Sequence, residues 1–147
     1  MDASKALALS AFQSTAAYDS AVSNELWNRF SEKAFPNRIH ASTGEGRELR
    51  YGENPHQPAS FFPGSGSPSG LSAAVQHQGK PLSYNNYLDL DAALRLARSL
   101  NQTCDFASHS CVVIKHTNPC GAAVAESQVS AWENALASDP ESAFGCV

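Results

Sequence analysis

The run Cys111-Val112-Val113-Ile114 constrains the fold more than any other part of the chain. Consecutive β-branched residues are stiff in a helix and pack well on a pleated surface, so a continuous apolar run of this kind is the pattern of a central strand buried on both faces. Lys115-His116-Thr117-Asn118-Pro119-Cys120-Gly121 follows at once, a turn-forming stretch expected to lead away from the sheet. Ligand crevices in open α/β sheets form outside the C-terminal ends of strands, which makes Lys115 and His116 the first candidate site. His116 can exchange a proton near neutral pH, and Lys115 can set positive charge against an oxygen that turns negative during acyl transfer. A histidine hydrogen-bonded within a turn accounts for the pair at least as well on this evidence alone.

Helical patterns surround that strand. Between Lys5 and Phe35 the chain is rich in alanine, and Tyr18, Val22, Leu26 and Phe30 recur every fourth residue, so one or two helices are expected until Pro36-Asn37 ends the pattern. Ala41 to Leu49 reads as a connector. Short strands are expected over Pro58–Phe62 and Ala73–Gln78, separated by a solvated loop at 63–70 that is too poor in apolar side chains to pack. From Ser83 to Asn101, Leu90, Ala93, Leu94, Ala97 and Leu100 fall at helical intervals, and Asp89 and Asp91 read as carboxylates meeting the free amides of the helix start. A last helix is expected with Val129, Trp132 and Leu136 on one face, closing near Asp139-Pro140. Strands alternating with helices predict an α/β layer arrangement. Ser142 to Val147, a glycine turn leading into an apolar residue, announces a further strand, so the terminus reads as a cut through a fold.

Bulk properties narrow the class. With 147 residues, 42% hydrophobic and 16% charged, the chain fits one modest soluble domain, and its net charge of −4 suits neither a polyanion mimic nor a general nucleic-acid binder. No apolar run reaches the length of a membrane span, and the first residues lack the basic and apolar regions of a signal peptide. Cys104, Cys111, Cys120 and Cys146 match no common zinc-ligand spacing and read as buried free thiols. The expected compartment is the reducing cytosol, with a plastid stroma as the alternative.

Two further stretches are dense in polar and aromatic side chains. In Arg50-Tyr51-Gly52-Glu53-Asn54-Pro55-His56-Gln57, Arg50 can fork onto a phosphate or carboxylate, and Tyr51 offers a ring face and a hydroxyl together. A surface loop stapled by its own polar side chains remains the competing reading. Ser83-Tyr84-Asn85-Asn86-Tyr87-Leu88-Asp89-Leu90-Asp91 is a polar entry into a helix, where capping is the expected role of the carboxylates. His40, His77 and His109 lie in unrelated contexts.

Taken together, Leu49 to Gln57, Gln78-Gly79-Lys80 with Leu82 to Asn86, Lys115 to Gly121, and Ser142-Ala143-Phe144-Gly145 resemble the aminoimidazole carboxamide ribonucleotide (AICAR) transformylase/IMP cyclohydrolase family in order and spacing. Ala11-Phe12 and Thr15 to Asp19 are similar to the helical end of the family's cyclohydrolase domain. The resemblance implies a remnant of that domain and a helical connector over residues 1–45, and the N-terminal part of a cytidine-deaminase-like transformylase domain over 46–147. It implies formyl transfer from 10-formyltetrahydrofolate to the amine of AICAR, in a purine-biosynthetic protein that also closes the ring to IMP. By the same resemblance His116 is the proton acceptor, Lys115 steadies the transition state, and Arg50, Tyr51, His116 and Gly145 contact the nucleotide with Phe144 beside its ring. No catalytic metal is implied, and a homodimer is implied for the full-length protein.

Departures from the pattern qualify this picture. Family members are several times longer, and the parts with most of the folate site and nearly all of the cyclohydrolase domain have no counterpart here. Cys146 stands where many members have glycine or an acidic residue. The first reading is therefore a truncated form of the bienzyme, and the alternative is a non-catalytic paralogue that binds nucleotide or mediates dimerisation.

Overall fold

The computed structural model describes residues 2–33, 35–64, 67, 69–104 and 109–147. They form two compact units, Met1–Gly46 with Phe62–Pro68, and Arg47–Phe61 with Ser69–Val147. The first unit is built on one long helix, α1 (Ala3–Phe30), whose start is capped by the Asp2 carboxylate accepting from the Lys5 amide. The helix ends at Ser31, well before Pro36, so proline does not set its boundary. No residue of α1 is buried, and the stripe of Tyr18, Val22, Leu26 and Phe30 is exposed along it.

The second unit holds every candidate site residue. It contains β1 (Arg47–Glu48), β2 (Ser60–Phe61), a single 3-10 turn (Gly70–Ala73), α2 (Tyr84–Thr103), β3 (His109–Lys115), β4 (Asn118–Ala125) and α3 (Gln128–Ser138). The β1 and β2 strands make a short antiparallel ribbon, with Arg47 opposite Phe61 and Glu48 opposite Ser60. The strand expected over Pro58–Phe62 is thus reduced to two residues. That expected over Ala73–Gln78 is not formed: Ala73 ends the 3-10 turn, and the residues after it join no ladder. Phe61 stacks on Tyr87 of α2 with centroids 4.6 Å apart, and the Arg47 guanidinium lies 5.2 Å above Phe61. This aromatic stack fixes the ribbon to the first turns of α2.

The α2 helix starts at Ser83, whose backbone amide and hydroxyl both donate to the Asn86 side chain at 2.9 Å while Asn86 N–H donates back to the hydroxyl. Ser83 is buried, so this reciprocal cap also satisfies polar groups that water cannot reach. The cap is therefore Ser83 with Asn86, and the expectation that Asp89 and Asp91 cap the helix is corrected. Asp91 pairs with Arg95 one turn on, at 2.7 Å, and Asp89 reaches another element altogether.

The β3 strand carries the apolar run, and the adjacent residues Val113 and Ile114, which point to opposite faces, are both 1% exposed. The expected burial on both faces is met at these two positions. The chain does not then leave the sheet. It turns over two residues and returns as antiparallel β4, with Lys115 opposite Asn118 and Val113 opposite Gly121, and a bulge at Cys120 where Ile114 pairs with Pro119. On its other edge Ile114 exchanges both backbone hydrogen bonds with Val147, at 2.7 and 2.9 Å. Helices and a small antiparallel sheet make the unit α/β in the mixed sense.

The third helix lies against this hairpin through Ala131 and Ala135, which are fully buried, while Val129 and Trp132 of the face expected to pack are exposed. The reason lies in β4. At Gly121 the α3 backbone approaches so closely that a Cβ there would overlap the Ala135 carbonyl. Only alanines on the helix and glycine on the strand allow that spacing. The four cysteines, expected to be buried, are free and half-buried.

Candidate functional site

The Lys115–Asn118 segment is a two-residue hairpin turn with both central residues at positive φ, His116 at 52° and Thr117 at 63°. Such turns match the twist of the strands they join, and asparagine and glycine are the usual occupants. A histidine and a β-branched threonine each cost about 1–3 kcal/mol in that region, so the turn holds its shape only because its surroundings impose it. The Thr117 hydroxyl and the Asn118 side-chain amide both donate to the His116 carbonyl, at 2.6 and 2.8 Å. The Thr117 amide donates to Asp89 Oδ1 at 2.7 Å. The turn presents the His116 side chain to solvent and leaves Lys115 half-buried at the strand end.

The Arg50–Gln57 loop is closed by its own bonds. Gly52 N–H donates to the Gln57 carbonyl at 2.7 Å, Gln57 N–H to the Asn54 carbonyl at 3.0 Å, and Asn54 N–H to the Gln57 side chain at 2.8 Å. Self-stapling of the kind the competing reading required is present, with Asn54 and Gln57 as its agents. The loop is also fastened outward. Arg50 N–H donates to the Leu82 carbonyl, Tyr84 N–H to the Tyr51 carbonyl, and the Asn85 side chain to the Glu53 carbonyl at 3.0 Å. The exposed Arg50 guanidinium lies 4.9 Å above the Tyr51 ring and donates to its hydroxyl at 3.3 Å, which leaves the other edges of the fork free for a ligand.

One face of α2 therefore serves both clusters. Asn85 holds the arginine-tyrosine loop, and Asp89, four residues later on the same face, holds the histidine turn. The two attachment points are about 6 Å apart along the helix axis. Reading the sequence missed Asp89, because a carboxylate near a helix start looks like a cap. The signal that distinguishes it is the Ser83/Asn86 pair, which occupies the cap three residues upstream.

Phe144 and Gly145 arrive from the far end of the chain. The Asp139 side chain accepts from the Ser142 amide at 3.0 Å, and the Ser142 hydroxyl, ahead of that amide, holds the Asp139 carboxyl below the usual carboxylate range, with Lys115 adding a smaller pull. Gly145 sits at φ 73°, and the antiparallel Ile114–Val147 pair directs residues 144–145 toward the His116 end of β3. Phe144 is 88% exposed, with its ring open to a partner. A separate cleft of about 310 Å³, lined by residues including Arg47, Val75, Tyr87 and Leu90, lies in the same unit and contains none of the six candidate residues. Among the described residues no three His, Cys, Asp or Glu side chains gather as metal ligands do, and no helix is long and apolar enough to cross a membrane.

Comparison with known proteins agrees with the motifs. Residues 1–147 match the family model described as the AICARFT/IMPCHase bienzyme. The chain is 42% identical to the bifunctional purine biosynthesis protein PurH of Desulfitobacterium hafniense, over 98% of this chain and 28% of that protein. It is 40% identical to the protein of the same name from Persephonella marina, over 99% of this chain and 28% of the relative. For the Rhodopirellula baltica protein, also so named, the figures are 46%, 96% and 26%. The chain thus spans little more than a quarter of the length of these curated relatives.

Proposed function

The chain belongs to the AICARFT/IMPCHase bienzyme family, and on that premise we propose that its second unit supplies the nucleotide-handling part of a formyl transferase. The substrate is the AICAR ribonucleotide and the formyl donor is 10-formyltetrahydrofolate. Arg50 grips an anionic group of the nucleotide by its free edges, and Tyr51 offers ring and hydroxyl beside it. Gly145 leaves room for close backbone approach, and Phe144 lies along the imidazole ring.

In the transfer, the weakly nucleophilic amine attacks the formyl carbon and the His116 imidazole takes its proton. The Lys115 ammonium stabilises the negative oxygen of the tetrahedral species. The formyl C–N bond to the folate then breaks, and the folate nitrogen leaves with a proton. The chemistry proceeds without a catalytic metal. We further assign residues 1–45 to the end of the cyclohydrolase domain and its helical connector, and 46–147 to the start of a transformylase domain of cytidine-deaminase-like fold. The whole bienzyme acts as a cytosolic homodimer in this reading.

The observation that carries the proposal is the common mounting of both clusters on Asn85 and Asp89 of α2. Calorimetric titration of the chain with AICAR ribonucleotide and, separately, with 10-formyltetrahydrofolate tests it. Nucleotide binding without folate binding is expected. Failure of the nucleotide to bind, or equal binding by a His116→Ala/Arg50→Ala double variant, contradicts it.

A further inference from the structure

The His116–Thr117 turn closes on itself through two bonds to the His116 carbonyl, from Thr117 Oγ1 and Asn118 Nδ2. Those bonds define its shape and leave its direction open. Among the described residues, the one hydrogen bond that ties the turn to an element outside the hairpin runs from the Thr117 amide to Asp89 Oδ1. We propose that Asp89 is a positioning residue for His116. From the first turns of α2 its carboxylate grips the Thr117 amide, and so sets the direction in which the neighbouring imidazole meets a ligand held by the Arg50–Gln57 loop.

Three features favour this role. A carboxylate accepting from a backbone N–H forms a short, directional, charge-assisted bond, and 2.7 Å is at the short end of that class. Asp89 makes no ion pair among the described residues, in contrast to Asp91, whose carboxylate is occupied by Arg95. Asn85, one turn earlier on the same face, fixes the other cluster, so a single rigid helix sets the spacing between imidazole and guanidinium. Misplacement of a reacting group by about 1 Å costs on the order of a hundredfold in rate, which is what such a mount prevents. The inference rests on the proposed function only for the identity of the ligand.

The test compares the chain with Asp89→Ala, Asp89→Asn and, as a control, Asp91→Ala, by nuclear magnetic resonance. In Asp89→Ala the Thr117 amide is expected to exchange with water about tenfold faster, the factor an ordinary hydrogen bond to a charged group represents, and the His116 ring signals to shift. Asp89→Asn keeps an oxygen at the same reach and is expected to restore both, while Asp91→Ala changes neither. AICAR affinity should follow the same order. Unchanged Thr117 exchange and unchanged ring signals in Asp89→Ala, or an equal effect of Asp91→Ala, overturn the inference. If Asp89→Ala also loses protection at Val112 and Val113, the domain has opened. Asp89→Ser, too short to reach the turn, then takes its place under the same expectations. Should the parent chain bind no AICAR, the proposed function fails, and the exchange and ring signals still decide the role of Asp89.

Discussion

Replacing Gly121 with alanine tests the packing that places the histidine turn. The new Cβ would stand 2.8 Å from the Ala135 carbonyl carbon and 3.4 Å from its Cα, and closer still to the carbonyl oxygen. Carbon pairs are most stable at about 3.5–4.0 Å, so α3 must retreat by roughly 1 Å, and a gap of that size forfeits up to about half of each contact across the interface. The atoms in the way are main chain and cannot swing aside. The cost therefore falls at the upper end of the overpacking range, about 3 kcal/mol. Loss of glycine freedom in the unfolded chain offsets about 0.4–1 kcal/mol, leaving a net loss of about 2 kcal/mol. For a domain of this size that lowers the melting temperature by roughly 8–16 °C. Thermal unfolding followed by circular dichroism reads it, with Gly64→Ala as a control, since a Cβ at Gly64 meets nothing within 4 Å. A Gly121→Ala variant melting within about 2 °C of the parent would show that α3 does not approach β4 as described.

Arg50→Ala should weaken AICAR binding by about 10- to 100-fold, the range for losing a charge-assisted contact, and an unchanged dissociation constant would reduce the loop to a structural role. Burial, with a smaller contribution from Cys146, pushes the Cys111 thiol up, so Cys111 should react slowly with iodoacetamide at neutral pH. Mass spectrometry of the labelled chain checks this, and labelling at the rate of free cysteine contradicts it. The Asp139 carboxyl is held low in the folded state, first by the Ser142 hydroxyl and then by its amide. Its contribution is therefore complete above the ordinary carboxylate value and is lost as pH falls through the lowered one. Amide protection at Ser142 should hold at neutral pH and fall in acid below about pH 4, and Asp139→Asn should remove most of that dependence. A parent and variant with the same acid profile would assign the loss to other groups.

The sequence made some elements legible for physical reasons and concealed others for equally physical ones. The helical spacing of Leu90, Ala93, Leu94, Ala97 and Leu100 predicts α2, which runs over Tyr84–Thr103. The β-branched run predicts β3, and Val113 and Ile114 are its buried centre. The hairpin was hidden because its turn is His-Thr, and not the Asn-Gly that announces such turns; the left-handed residues are imposed by Asp89 and the strands. The packing face of α3 was misjudged because size suggested Val129 and Trp132, whereas close approach at Gly121 selects Ala131 and Ala135. Ala73–Gln78 lacks a partner strand, and an isolated short segment with two alanines has little to hold it extended. Of the site, Arg50, Tyr51, Lys115 and His116 were readable as chemistry. Their common mounting was not, since it depends on Asn85 and Asp89, whose residue types suit a helix start equally well.

The account turns on one nucleotide being met by two segments far apart in sequence. Titrating AICAR ribonucleotide into the isotope-labelled chain, while following the amides of 50–57 and 115–118 together, measures this directly. Both groups are expected to shift and to saturate with one dissociation constant, in step with the His116 ring signals. Shifts confined to one segment, or two segments saturating at different concentrations, would mean that they do not form one site.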